Sequence, residues 1–311
     1  MRIIEKPLVS IALCTYNGER FLKMQMDSLL SQDYENIEIV AVDDCSTDRT
    51  WSILRDYAAG DSRIRLYQNE QNIGYTRNFE KAISLCNGDH IALSDQDDIW
   101  ETNKISLLKR SIGECIMVYH NSDFIDEQGK RIGRSTMASN WQMYEGESCL
   151  PLILTNCVSG HATLFKKELG KYIFPFAENA YHDWWIAYAA FNVGKVKFID
   201  KVLVHYRQHK NTITDSLCLR NSENRPQKIS NREMLFLNVD WLKYCARFKY
   251  NKESGLVKKA CTLLSDLVQG RSKFRAFLFM VKYFDLLFYN ITRKKRGFLS
   301  KVNFARKICF D

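Results

Sequence analysis

The chain has 311 residues, 46% apolar and 26% charged, with 14 Gly and 4 Pro. That is enough for about two domains and a substantial core, and it excludes collagenous, linker-rich and disordered readings. No run approaches the ~18 uncharged apolar residues of a membrane span, and the charged start Met1 to Lys6 lacks the form of a secretory leader. The formal charge of +9 is uneven: residues 243–311 hold 17 Lys/Arg against 4 Asp/Glu, and residues 1–242 hold 28 against 32. The basic character belongs to the tail, which argues against a nucleic-acid partner. Ten scattered Cys without a C-x-x-C spacing point to reduced thiols in a cytosolic protein, not to a zinc site or a disulfide scaffold.

Two periodicities alternate over the first hundred residues. Leu8 to Leu13 is a short apolar run, followed by Gly18 to Ser31, where Phe21, Met24, Leu29 and Leu30 share a helical face. Ile37 to Val42 is a second strand. A helix with Trp51, Ile53, Leu54 and Tyr57 follows it, N-capped by Ser46, Thr47 or Asp48. Ile64 to Tyr67 predicts a third strand, Asn78 to Leu85 a helix and His90 to Leu93 a fourth strand. Strands about 25 residues apart with helices between them mean a parallel, doubly wound α/β sheet. From about residue 115 the pattern is mixed. Met117 to Tyr119, Val158 to Phe165 and Lys195 to His205 read as strands, Asp126 to Lys130 as a hairpin turn and Trp184 to Asn192 as a helix. The polar stretch Asn221 to Gln227, with Pro226, is the expected boundary to a helical remainder.

Ligands of open α/β sheets bind beyond the carboxyl ends of the strands. Three strands end there in polar clusters: Cys14 to Gly18, Asp43 to Ser46, and Ser94 to Asp98. Their five carboxylates repel one another unless a cation or a donor-rich ligand lies among them. Asp95-Gln96-Asp97-Asp98 suits a hard divalent cation shared with a diphosphate, the alternative being an acidic loop that opens a helix near Glu101. Asp43 could accept the N3–H of uracil or thymine, with Tyr16 stacking on the base; helix capping is the alternative for Asp44 and Asp48, and core packing for Tyr16. Asn72-Ile73-Gly74 before Arg77 suits a diphosphate or sugar lying against backbone, or is an ordinary turn.

In this order, Thr15-Tyr16-Asn17, Val42 to Asp48, Asn72-Ile73-Gly74 with Arg77-Asn78, and Ser94 to Asp98 resemble the nucleotide-binding half of a family 2 glycosyltransferase of GT-A fold. Gly160 to Thr163, His182 to Trp185 and Tyr206 to His209 resemble its acceptor half, and Asp-Gln-Asp-Asp-Ile-Trp is similar to bacterial rhamnosyl- and related transferases of O-antigen or capsule synthesis. The resemblance covers about residues 7–215. It implies a GT-A domain over 1–220, with a nucleotide half to about 115 and a mixed acceptor half over 116–220, then a helical basic region over 221–311. It also implies an inverting, Mn²⁺- or Mg²⁺-dependent enzyme using a UDP- or dTDP-sugar. On these residues Asp43 would hold the pyrimidine beside Thr15, Tyr16 and Asn17. Asn72, Gly74 and Arg77 would face the diphosphate or sugar, and Asp95 the ribose or donor sugar. Asp97 would bind the metal with His209, or with His205 four residues earlier. Asp183 would be the general base, which also stands where it could simply cap a helix. The residue before that base is often Glu; here it is His182.

Arg271 to Ile291 reads as one helix with a broad apolar face, and Arg293-Lys294-Lys295-Arg296 follows it. Such a helix suits an anionic membrane surface or a packing role in the protein. The membrane reading fits the implied acceptor, a polyprenyl-diphosphate-linked glycan, and an enzyme peripheral to the inner face of the cell membrane. Rival functions are a nucleotidyltransferase, which would show a Gly-rich basic loop after the first strand, and a non-catalytic scaffold, which would be expected to lack Asp97 or Asp183. The first turn contains no G-x-G-x-x-G, which removes a dinucleotide-dependent oxidoreductase.

Overall fold

A computed structural model describes residues 6–136, 142–178, 180–209, 238–291 and 296–310. The expected boundary at Asn221 to Gln227, and Arg293 to Lys295 of the basic cluster, lie outside these residues. The first half alternates β1 (Val9–Thr15), α1 (Leu22–Leu30), β2 (Ile37–Asp43), α2 (Thr50–Gly60), β3 (Ile64–Gln68), α3 (Tyr75–Ser84) and β4 (His90–Ser94). After β5 (Ile99–Trp100) and α4 (Lys104–Ile112) come β6 (Met117–Ile125), β7 (Arg131–Ser135) and β8 (Thr163–Lys166). Then follow α5 (Gly170–Ile173), α6 (His182–Val193) and β9 (Val196–Arg207).

One nine-stranded sheet runs β3-β2-β1-β4-β8-β6-β9-β5, with β7 paired to β6. Strands β1 to β4 are mutually parallel, whereas β8 is antiparallel to both β4 and β6. The α/β sheet with a mixed second half is therefore as the sequence predicts. Alternate residues of β1 enter different layers. Val9, Ile11 and Leu13 pack with Leu22, Met26 and Leu29 of α1, and Ala12 and Cys14 pack on the opposite face with Phe79 and Ile83 of α3. Each such buried Leu or Met contributes about 1.5–3 kcal/mol.

Local expectations shift in instructive ways. The inward stripe of α1 is Leu22, Met26 and Leu29, and Met24 is exposed, so the helical phase is set by Leu22. The N-cap of α2 is Arg49 and not Ser46, Thr47 or Asp48, although the Asp48 carboxylate, one residue earlier, accepts the Thr50 N–H at 2.9 Å. The Asp126 to Lys130 turn closes a hairpin, with Gly129 at φ 83° and the Asp126 N–H donating to Lys130 O. The expected strand from Val158 is instead a 3₁₀ turn at Gly160–Ala162 leading into β8.

The C-terminal region is helical: α7 (Val239–Arg247), α8 (Ser254–Val268), α9 (Lys273–Lys282), α10 (Phe284–Leu287) and α11 (Phe298–Phe310). It shares a core with α6. Trp184 and Trp241 rings lie 4.5 Å apart, and both indole N–H groups donate to Leu152 O, at 2.6 and 3.1 Å. The single helix expected over Arg271 to Ile291 breaks at Tyr283. Ala276, Phe279, Met280, Phe284, Leu287 and Phe288 are buried, so much of its apolar face packs inward. Phe274, Leu278, Phe298, Leu299 and Phe310 stay exposed.

Candidate active site

The carboxyl ends of β2 and β4 carry the acids, and those on the β1–β2 side are held by hydrogen bonds from uncharged donors. Asp43 is fully buried. Its Oδ1 accepts from Thr15 Oγ1 at 2.9 Å and Ser46 Oγ at 2.5 Å, and its Oδ2 from Ser46 N at 3.0 Å and Gln68 Nε2 at 3.1 Å. All four lone-pair directions are used, so a base N3–H reaches Asp43 only by replacing a protein donor. Asp44 accepts from Asn69 Nδ2, Ile73 N and Gly74 N at 2.7–2.9 Å and thereby fixes the turn that starts α3. Gly74 has φ 83°, which explains a glycine there, and Asn72 Oδ1 accepts its N–H at 3.0 Å. Asn17, at φ 48°, receives the Thr47 N–H on its Oδ1 and donates its own N–H to Ser46 Oγ. The Tyr16 ring stays 46% exposed, open to a stacking partner. Arg77 is paired with Glu80 on its own helix and also donates to Phe176 O, so it meets an anionic ligand only by leaving those partners.

The β4 side differs. Asp97 Oδ2 lies 2.8 Å from His209 Nε2. His205 points elsewhere, to Glu101 Oε1 at 2.8 Å, because it sits in β9 opposite Ile99 of β5. Burial and the charges of Asp97 and Asp183 push Asp95 up to about 7, against the pull of Lys104. Burial with Asp97 and Asp95 nearby also raises Asp98, whose buried Oδ2 has no hydrogen-bond partner among the described residues, His161 Nδ1 lying 3.8 Å away. Its other oxygen accepts the Arg207 N–H at 3.0 Å.

Two donor sets could hold a divalent cation. Asp95, Asp98 and His161 bring ligand atoms within 4.8 Å of one another. Asp98 and His161 are buried, however, and the Lys104 ammonium lies close enough to act on both Asp98 and Asp95. Burial pushes that amine well below its usual range, and its Nζ, donating to His161 O at 2.6 Å, takes up room beside both carboxylates. The pair of Asp97 and His209 keeps side chains 15% and 13% exposed, and carboxylate with imidazole suits Mn²⁺ or Mg²⁺ completed by water and phosphate oxygens. The second set fits better.

Asp183 stands in the first turn of α6. Burial raises its carboxyl to about 6, while the backbone N–H groups of Trp184, Asp183 and Gly160 act to lower it. Among the described residues no side chain donates to it; the Trp184 N–H does, at 2.6 Å. Beside it His182 stacks on Phe79, with centroids 4.0 Å apart, and both ring nitrogens lack partners among the described residues. Burial holds that imidazole down at about 3, so it is neutral at ordinary pH. Trp184 and Trp185 are core residues, each with its indole N–H satisfied by a backbone carbonyl.

Sequence reasoning missed two cations beneath the acids. Arg207 is fully buried and donates to Asp97 O at 2.8 Å, Asp126 O at 3.0 Å and Glu127 O at 3.1 Å, so it anchors the acidic loop to the β6–β7 turn. Lys104 is likewise fully buried, a rare state for an ammonium. No local spacing signals Arg207, which reaches the Asp-Gln-Asp-Asp motif from the end of β9, 109 residues beyond Asp98.

Residues 10–174 match the family model described as "Glycosyl transferase family 2". A relative from Haemophilus influenzae, an uncharacterized glycosyltransferase, is 26% identical over 219 residues, covering 66% of this chain and 67% of that protein. TarS of S. aureus (residues 1–349), solved with UDP-GlcNAc, superposes with TM-score 0.60 at 17% identity, over 97% of this chain and 90% of that one. The mannosyltransferase PcManGT of Pyrobaculum calidifontis, solved with GDP-Man and Mn²⁺, gives 0.54 at 16% identity, over 92% of this chain and 88% of that one. With a family model covering more than half of the sequence and the same architecture in those solved enzymes, the chain belongs to glycosyltransferase family 2 and is a glycosyltransferase of GT-A fold.

Proposed function

We propose that this enzyme moves a sugar, rhamnose being one candidate, with inversion from a UDP- or dTDP-sugar to a hydroxyl of a polyprenyl-diphosphate-linked glycan in bacterial surface polysaccharide synthesis. The observation that carries the reading is the state of Asp183: a carboxylate raised by burial, with no side chain among the described residues donating to it, in electrostatic reach of Asp95. The pyrimidine lies on Tyr16, and its N3–H takes the place of the exposed Gln68 amide on Asp43, the longest of that carboxylate's bonds. The donor's phosphates lie toward Asp97 and His209, and its sugar toward Asp95, with Asn72, Gly74 and Arg77 along its flank. A bound Mn²⁺ or Mg²⁺, held by Asp97 and His209, supplies positive charge for the leaving diphosphate.

The acceptor hydroxyl gives its proton to Asp183 as its oxygen attacks the anomeric carbon from the face opposite the diphosphate. The bond from that carbon to the diphosphate oxygen breaks in the same displacement. The raised carboxyl of Asp183 suits it to this task near neutral pH. Nucleotide sugars found with solved neighbours of the same fold, UDP-GlcNAc in TarS and GDP-Man with Mn²⁺ in PcManGT, support a sugar-nucleotide donor.

The exposed apolar residues of α9 and α11 support a membrane-facing role. Phe274, Leu278 and Phe310 stand beside exposed Arg275, Arg306 and Lys307, a mixture suited to an anionic bilayer surface. Among the described residues, no helix is long and apolar enough to cross a membrane. The deciding experiment is a panel of UDP- and dTDP-sugars with Mn²⁺, read by thermal shift and slow donor hydrolysis. One of these donors should stabilise the protein and be hydrolysed; a panel in which none does either overturns the donor assignment.

A further inference from the structure

Gln96 stands between the two carboxylates of the Asp95-Gln96-Asp97 motif, yet its side chain serves the neighbouring strand. The Tyr16 N–H donates to Gln96 Oε1 at 2.8 Å, and Gln96 Nε2 donates to the Tyr16 carbonyl at 3.0 Å. One amide thus meets both polar groups of one residue, as a facing strand would. The β1–β4 ladder ends at Leu13 opposite Ser94, and Gln96 extends it with side-chain atoms. Gly18 makes the room: a Cβ there would overlap the Gln96 amide, while the Gly18 backbone has none of the positive φ that would itself call for glycine. On its other side the β1 loop is fixed by Asn17 to Ser46 and Thr47, and by the Gly18 N–H to Thr50 Oγ1 at 2.7 Å. Tyr16 is therefore gripped from both the β2 and the β4 loops, with its ring left open.

We infer that Gln96 is a positioning residue that couples the nucleoside end of the donor site to the cation end. This rests on the reading above, in which a base stacks on Tyr16 and a divalent cation sits at Asp97 and His209. A base that orders Tyr16 orders Gln96 through its two hydrogen bonds, and with it the carboxylates on either side of Gln96. Coupling between two ligands is reciprocal, so the cation must favour the base by the same factor.

UDP is a poor probe of this link because its diphosphate binds the metal directly. Uridine has no phosphate, with thymidine as a parallel arm, so any effect of nucleoside on Mn²⁺ must pass through the protein. Calorimetric titration of the full chain with Mn²⁺, with and without saturating nucleoside, should show about fivefold tighter Mn²⁺ binding in its presence. In Gln96→Ala each ligand still binds alone, and the factor falls to about one. Gly18→Ala should do the same with Gln96 retained, because the added methyl displaces only the end of a flexible side chain. Unchanged coupling in either variant overturns the inference, as does a native protein that binds both ligands independently. A native protein that binds neither Mn²⁺ nor nucleoside overturns the site reading itself, a separate failure.

Discussion

Two groups of aspartates lie at the same edge of the sheet and are treated in opposite ways. Asp43 and Asp44 are satisfied by seven protein donors between them. Asp95 and Asp98 are raised by burial and by like charges, Asp183 by burial, and among the described residues one oxygen of Asp98 has no hydrogen-bond partner. The first pair builds loops. The second group is kept in a state that the protein alone does not relieve, which is the state expected of groups that meet a cation, a sugar or a proton. Burial alone does not separate them, since both groups contain fully buried carboxylates.

The largest effect that tests this contrast is at Asp183. Asp183→Asn should lower transfer by about 10²–10⁴-fold, the usual worth of a general base, with UDP affinity nearly unchanged in calorimetry. A comparable turnover would remove Asp183 as the base. The native enzyme should lose rate below pH about 6, because the base must be ionised and its carboxyl is raised to that value. Stability has the opposite sign. A folded-state value above the unfolded one favours the protonated form, so this group's contribution is full below about pH 4 and is lost as pH rises through 6. Asp183→Asn should therefore melt higher than the native protein at pH 8, and the gap should close in acid.

Next in size is the cation beneath the acids. Arg207→Lys keeps the charge but cannot reach three carbonyls at once, so the Asp97 loop loosens. Mn²⁺ affinity should fall by about 10–100-fold, as for other groups that orient a ligand. Unchanged Mn²⁺ binding would show that Arg207 serves the fold only. Smaller again, Asp44→Asn should destabilise by about 1–3 kcal/mol in urea titration, because the amide nitrogen that replaces one oxygen must face either the Gly74 N–H or the Ile73 N–H and the Asn69 amide. Donor binding should weaken only through the α3 turn.

Much of this was legible in the sequence, for reasons that can be named. Alternating 25-residue units gave the parallel half, since strand and helix periods differ and the chain must cross over. Positions at strand ends placed Asp43, Asp95 and Asp97 at one edge. The partners of those acids were not legible. That Gln68 completes Asp43, whereas Oδ2 of Asp98 has no hydrogen-bond partner among the described residues, depends on distances between segments far apart in the chain. The choice between His205 and His209 was equally hidden, because it turns on the antiparallel pairing of β9 with the two-residue strand β5. In the tail, composition shows the apolar content but leaves open whether it faces a membrane or the protein. Phe279, Met280 and Phe284 face the core because the chain breaks at Tyr283 and folds back, and no periodicity announces that break.

The smallest expected effect on stability is at that folded-back pair, and it sharpens the comparison between satisfied and unsatisfied surface. Contacts of Phe277 with Phe310 and Met280 with Cys309, continued by Phe284 of α10 with Phe304, run α9 and α10 antiparallel to α11. Removing residues 271–311 would strip buried Phe279, Phe284 and Phe288 from the core, so loss of vesicle binding on truncation would say little. Phe298 and Leu299 are 70% and 81% exposed, and changing both to Ser should shift stability by no more than about 0.5 kcal/mol. If these side chains enter a bilayer, the same change removes about 1.5–3 kcal/mol of apolar burial for each, and co-sedimentation with phosphatidylglycerol vesicles should drop by tenfold or more. Vesicles of neutral lipid should bind the native chain weakly, because the surrounding arginines and lysines then find no counter-charge. Equal sedimentation of native and double-Ser protein would assign the exposed residues no membrane role and leave α9 and α11 as a packing element of the catalytic domain.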